Sequence, residues 1–279
     1  MTDPLLLTID EGLARLTLNR PASLNAFDAD LAHAWRDATA EAVGRDDVGA
    51  ILIEGNGRAF CAGGDVIAMS TGMAGGHEIT ALAHVINAGI LSLTTSTVPV
   101  VAAAHGTTAG GGLGILMCSD YAVVGANSRI GSRYANIGLT PDLSVSAQLA
   151  RAVGERRALQ LLLQDRMLSA REAVDWGLVA EAVAAPGAEA GAGAEAGAGA
   201  EAGPDAEADA VRRRAEQIAR SWLDGAAGAY GQAKRLVRSQ PSRSFEEQLN
   251  VEADSIGAAF DTPDAQARIA GFAAASRTR

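Results

Sequence analysis

"PVVAAAHGTTAGGGLGILMCSD", residues 99–120, runs from an apolar stretch through a histidine and three consecutive glycines into a second apolar stretch. The stretch 98–106, flanked by turn formers, reads as a buried strand, and 111–120 as a short buried helix. Glycine at that junction lets the backbone turn sharply and lets a ligand approach the amide N–H groups. A second junction of the same kind, "RAFCAGGDV" (58–66), follows a buried strand candidate at 49–55. Such N–H groups hold either a phosphate or a carbonyl oxygen that gains charge. The phosphate options fail on spacing. No GxxxxGK[ST] is present, and the glycines do not fall in the GxGxxG arrangement with an acid after the next strand. Close strand–helix packing explains one glycine cluster; two of them at strand ends point to a shared site.

Outward from these loops, strand and helix patterns alternate. Residues 4–10 and 12–20 read as two strands around a turn at Asp10–Gly12, and 28–43 as a helix with Asp28 as its N-cap. Residues 121–126 read as a further strand and 156–175 as helix, with Gly177 at its C-terminal end. Alternation of this kind predicts an α/β domain with buried, largely parallel strands. Between Gly187 and Gly203 the unit GAEAGA recurs without an apolar face, so 187–208 is expected to be an acidic linker or insertion. Residues 209–238 and 244–276 read as helical. The expected organisation is a core over 1–186, the linker over 187–208, and a helical region over 209–279.

Composition narrows the class. The chain of 279 residues is 48% hydrophobic and only 4% aromatic, so its core is built from Ala, Val, Leu and Ile. Six acids between Gly187 and Ala210 supply much of the formal charge of −10. No basic stripe suggests nucleic acid, and no apolar run reaches the length of a membrane span. The N-terminal residues lack a signal-peptide pattern, and Cys61 and Cys118 have no metal-ligand spacing, reading as small buried hydrophobes. The expectation is a cytoplasmic protein with no metal.

Four blocks in order, "LTLNRPASLNAFDADL" (16–31), "FCAGGD" (60–65), the 99–120 stretch and "SAREAVDWGLV" (169–179), resemble the enoyl-CoA hydratase/isomerase family, the crotonase superfamily. The resemblance implies a crotonase-like spiral of ββα units with a C-terminal α-helical oligomerisation region, assembled as a homotrimer or a dimer of trimers. It implies an acyl-CoA substrate, with coenzyme A part of that substrate and no separate cofactor. The thioester oxygen would be held by the backbone amides of Gly64 and Gly111. Ala62, Gly63, Gly64, Asp65 and Val66 would line the CoA site, and Leu24, Asn25 and Ala26 would lie near its pantetheine and adenine portions.

Family hydratases carry two catalytic glutamates. The corresponding positions here are Gly114 and Tyr134, so classical hydration is not expected. Asp142, in "IGLTPD" (137–142), falls where some family isomerases carry a catalytic aspartate. From those six residues alone, Thr140 or Asp142 equally suits the cap of a helix through 143–153, with Pro141 in its first turn. With the family context, Asp142 is expected to act as a single acid/base for a double-bond shift, and the Tyr134 phenol to hydrogen-bond the substrate or Asp142. Two alternatives stay open. The same position holds the nucleophile of aryl-CoA dehalogenases, whose water-activating histidine becomes Asn87 here, with His84 one turn earlier. The chain could also be a non-catalytic acyl-CoA-binding relative. His105 is expected to be structural, His33 a surface residue, and His77 part of a mobile loop near the acyl pocket. Asp65 is expected to fix its loop rather than catalyse.

Overall fold

The turn at Asp10–Gly12 joins β1 (Leu5–Asp10) to β2 (Leu13–Leu18) as an antiparallel pair, with Leu5 opposite Leu18 and Asp10 opposite Leu13. Glu11 and Gly12 both have left-handed φ (45° and 83°), the geometry that matches the twist of a tight hairpin. The computed structural model describes residues 2–187 and 204–277.

From β2 the chain crosses through α1 (Ala29–Gly44) to β3 (Ala50–Gly55), then through α2 (Val66–Gly72) and α3 (Gly76–Thr95) to β4 (Val100–Ala104). Asp28 caps α1 as expected, its side chain accepting from the Leu31 N–H at 2.9 Å. Leu31, Trp35, Ala38 and Ala42 form the buried stripe of α1, and the Trp35 Nε1–H donates to the Ile86 carbonyl of α3 at 3.2 Å. Next come β5 (Thr107–Ala109), α4 (Gly111–Met117), β6 (Tyr121–Gly125) and β7 (Arg129–Gly131). They are followed by α5 (Val145–Val153), α6 (Glu155–Gln164), β8 (Met167–Ser169), α7 (Ala170–Asp175) and β9 (Glu181–Val183). The main sheet has the order β1-β2-β3-β4-β6-β9, parallel except for the first pair. A small sheet, β5-β7-β8, lies beside it. Every residue of β3 and β4 is buried, as a sheet covered on both faces requires. The α/β expectation holds.

Four local expectations change. The predicted helix over 156–175 is broken at Asp165, which takes a left-handed φ of 49°, and β8 follows to pair with β7. Ser169 and Glu172 then form a reciprocal capping box that restarts the chain as α7. The loop expected around His77 is mostly helix, because α2 and α3 leave only Met73–Gly75 between them, and His77 is solvent-exposed in the first turn of α3. Leu143 and Ser144 both have left-handed φ (46° and 68°), so α5 begins after Ser144 without a side-chain cap, and Pro141 lies outside it.

The fourth concerns the linker. Residues 188–203 lie outside the described residues, but α8 (Pro204–Asp224) starts within the stretch assigned to the linker. It belongs to the core. Val211, Ala215, Ile218 and Ala219 cover the sheet face made by Leu13, Leu52, Val101, Ala103 and Val123, which is why a helix docks there. Beyond it, α9 (Ala227–Ser239), α10 (Phe245–Phe260) and α11 (Pro263–Arg277) complete the helical region.

Candidate active site

The two glycine loops meet. The Ala109 N–H donates to the Cys61 carbonyl at 3.0 Å, and the Cys61 N–H to Thr107 at 3.3 Å. Gly63 has φ +102°, and a Cβ there would stand 2.9 Å from the Ala109 oxygen and 3.0 Å from the Gly111 nitrogen. A Cβ on Gly112 would overlap the Cys61 carbonyl. The glycines therefore serve both purposes at once, close packing and access to the amides. Among the described residues, neither the Gly64 N–H nor the Gly111 N–H donates to a protein acceptor. Both residues border one cavity of about 480 Å³.

The segment 24–27 is laced to the first loop. The Phe27 N–H donates to Gly63 at 2.7 Å, the Asp65 N–H to Phe27 at 2.9 Å, and the Ala62 N–H to Leu24 at 3.0 Å. Asn25 is fully buried, and its Nδ2 donates to the carbonyls of Asn56, Ala59 and Phe60 at 2.9–3.1 Å. Its side chain is consumed in holding the loop. Phe27, Ala62, Gly64 and Val66 line the cavity, whereas Leu24, Asn25, Ala26, Gly63 and Asp65 do not. Asp65 caps α2 by accepting from the Ala68 N–H at 3.0 Å and pairs with Arg20 at 3.1 Å. Burial alone would raise its pKa, but the Ala68 amide and Arg20 hold it below the usual carboxylate range. Arg20 also pairs with Asp28 at 2.7 Å and donates to the Ala26 carbonyl, tying the two segments together.

Asp142, Leu143 and Tyr134 border the same cavity. The Asp142 side chain does not cap α5. Its Oδ1 instead accepts from the Tyr134 hydroxyl at 2.6 Å. Tyr134 is 8% exposed, and burial, with the Asp142 charge second, pushes its phenol well above its ordinary pKa, so it stays a donor. Asp142 itself is open to the cavity, yet the protein around its carboxyl removes enough water to raise its pKa. The Tyr134 hydrogen bond opposes that rise by favouring the charged form.

The backbone that positions Asp142 also closes the neighbouring site. A Cβ on Gly114 would overlap the Leu143 carbonyl, and one on Gly111 would stand 2.6 Å from the Leu143 Cδ1. No side chain fits at position 114 unless the left-handed Leu143–Ser144 segment moves. From α3, His84 and Asn87 reach the cavity. His105 does not; it is 3% exposed with its Nε2 2.6 Å from the Gly57 carbonyl, a structural residue. Cys61 and Cys118 are buried free thiols, pushed up to about 12 by burial. A larger groove of about 800 Å³ lies elsewhere, lined in part by Lys234 and Arg238. Asp120 and backbone carbonyls already engage both cations.

Sequence reasoning did not single out Leu143 or Arg133, both at the cavity wall. The only sequence signal for Leu143 was the glycine at 114, whose meaning depends on a contact with a residue 29 positions further along the chain.

Comparison with known proteins adds the family. Residues 8–206 match the model of the enoyl-CoA hydratase/isomerase family. The probable enoyl-CoA hydratase echA14 of Mycobacterium tuberculosis is 32% identical over 176 residues, covering 63% of this chain and 68% of that one. The 1,2-epoxyphenylacetyl-CoA isomerase of Escherichia coli is 26% identical over 98% of this chain and 97% of that one. The crystal structure of an enoyl-CoA hydratase from Polaromonas superposes with a TM-score of 0.83 at 25% identity, covering 97% and 96% of the two chains.

Proposed function

The chain belongs to the enoyl-CoA hydratase/isomerase family, and on that premise we propose that it isomerises CoA thioesters with Asp142 as the single acid/base. The observation that carries this reading is the pairing of one carboxylate, raised in pKa and held by Tyr134, with two unpartnered loop amides on the same cavity. The thioester oxygen accepts from the Gly64 and Gly111 N–H groups. Asp142 takes a proton from the α or γ carbon, the two amides stabilise the enolate, and the protonated Asp142 returns the proton to the other carbon. Each oxyanion donor is worth about 3–4 kcal/mol and the positioned base about 10²–10⁴-fold in rate. A bound acyl group would displace the water that still reaches Asp142, raising its pKa further toward neutrality.

Hydration needs a second group to handle the water. Position 114 has no room for one and position 134 carries a phenol that stays protonated. The relative named an isomerase that aligns over nearly the whole chain supports the reading. The test is spectroscopic: 3-enoyl-CoA converts to the conjugated 2-enoyl thioester with no 3-hydroxyacyl product. Accumulation of the hydroxyacyl thioester contradicts it.

A second reading draws on His84 and Asn87 at the cavity wall. In it, Asp142 attacks the halogen-bearing ring carbon of an aryl-CoA thioester, halide leaves, and water activated by His84 hydrolyses the resulting aryl ester to release the hydroxyaryl product and free Asp142. Release of halide from a halobenzoyl-CoA, lost in His84→Ala, would favour it. Assembly is part of the proposal too. On α10, Phe245, Leu249, Ile256 and Phe260 recur at helical spacing and are 49–78% exposed, a face suited to burial against a second copy in a trimer or a dimer of trimers. Sedimentation gives the state directly, and a monomer at micromolar concentration contradicts it.

A further inference from the structure

Arg133 borders the cavity beside Tyr134 and is the one lysine or arginine among the residues lining it, while Asp142 is the one carboxylate. Its backbone takes a left-handed φ of 55°, unusual for a long side chain and kept only where surrounding structure enforces it. Its side chain reaches the turn at the end of α6. There, the Arg133 Nη1 donates to the Asp165 carbonyl at 3.3 Å and stands 3.4 Å from the Asp165 Oδ2. Asp165 is left-handed as well, at φ 49°. Both contacts use one nitrogen of the guanidinium. The Nε and Nη2 donors have no acceptor among the described residues, and the side chain is 46% exposed.

The tether leaves one edge of the planar fork free on a residue that borders the cavity, and such an edge matches a carboxylate with two parallel hydrogen bonds. The rest of the wall divides by chemistry. Ile79, Leu82, Ile86 and Leu139 offer an apolar surface for methylene groups, and Asn136 is a polar neighbour on the Arg133 loop. Resting on the proposed CoA-thioester reading, we propose that Arg133 selects acyl groups that end in a carboxylate, so that the preferred substrates are monothioesters of dicarboxylic acids. The acyl methylenes lie on the apolar wall, the thioester meets the two amides, and the distal carboxylate meets the Arg133 fork. A phosphate of coenzyme A has the same chemistry, and the test separates the two.

Calorimetry with saturated thioesters, which cannot isomerise, reads binding without turnover. Glutaryl-CoA and valeryl-CoA have equal chain length and differ in the terminal carboxylate. Wild type is expected to bind glutaryl-CoA about tenfold more tightly, the value of one charge-assisted contact. Arg133→Asn, whose residue tolerates left-handed φ, is expected to abolish that ratio, and Arg133→Lys to retain only part of it. The glutaryl and valeryl thioesters of pantetheine, which lack the nucleotide phosphates, are expected to keep the wild-type ratio. A wild-type ratio near unity overturns the inference and leaves the isomerase reading standing. So does an Arg133→Asn loss equal for both CoA esters and absent with the pantetheine esters, which assigns Arg133 to a phosphate. Failure of both thioesters to bind overturns the inference together with the reading beneath it.

Discussion

Asp65 stands immediately before α2 and Asp142 three residues before α5, each after a glycine-containing stretch, yet their surroundings give them opposite properties. Asp65 accepts from the Ala68 amide and pairs with Arg20, and is held as an anion. Asp142 has no cation within ion-pair distance among the described residues, and its side-chain hydrogen-bond partner is a phenol that does not ionise. One carboxylate fixes a loop; on the proposed reading, the other exchanges a proton with the substrate. What separates them is the partner that the fold supplies, Arg20 from 45 residues away in one case and Tyr134 from eight residues away in the other.

Removing the two carboxylates in turn gives the widest separation. Asp142→Asn is expected to lower kcat by about 10²–10⁴-fold while leaving the thermal midpoint within a few degrees, because it removes a group that only partly escapes water. Parallel rate and melting measurements check this, and a large loss of stability with activity retained reverses the assignment. Gly63→Ala forces a side chain into φ +102° against the Ala109 oxygen and should splay the two loops. A fall in kcat of about 10²-fold is expected, as for loss of an oxyanion donor, together with a lower melting temperature. Single-turnover rates at substrate saturation separate that loss from weakened binding.

Smaller effects sharpen the contrast. Tyr134→Phe takes away the hydrogen bond that favours ionised Asp142, so the Asp142 pKa rises. The acid limb of the kcat–pH profile then moves to higher pH, with a fall of roughly tenfold at its lower end. An acid limb that stays in place shows that the phenol does not act on Asp142. Asp65→Asn keeps a cap acceptor for α2 but loses the charge paired with Arg20, and should cost about 0.5–1 kcal/mol of stability.

The stability effects of the two carboxylates also have opposite pH signs. Asp65 has a lowered folded pKa, so its contribution is present above the unfolded pKa and is lost as pH falls through the folded value. Asp142 has a raised one, so its contribution is present below the unfolded pKa and is lost as pH rises through the folded value. Denaturation curves across the acid range should show the Asp65→Asn difference closing as pH falls. Any gain in Asp142→Asn at neutral pH should vanish over the same range.

The strands and the glycine loops were legible in the chain because their signals are local: apolar runs between turn formers, and glycines at strand ends. The Asp28 cap was legible for the same reason. The break at Asp165 was not, since a left-handed aspartate carries no local mark and exists to let β8 pair with β7. The sheet-covering role of α8 was hidden because an Ala- and Arg-rich helix shows its apolar stripe only against the face it meets. Within the candidate site, the family resemblance suggested Asp142 and the six-residue stretch could not exclude a cap. The structure removes the cap, since α5 starts after Ser144 and the Asp142 Oδ1 accepts from Tyr134 instead, and proton transfer by Asp142 is the proposal built on that. Asn25 was expected beside the ligand, but three backbone carbonyls from residues 56–60 engage its amide.

The most direct test of the central claim is deuterium incorporation into acyl-CoA esters in deuterated water, followed by NMR for wild type and Asp142→Asn side by side. Exchange at the α and γ carbons with wild type, abolished in the variant while the thioester still binds, is the predicted result. Equal exchange in both proteins would contradict it and leave Asp142 without a role in proton transfer.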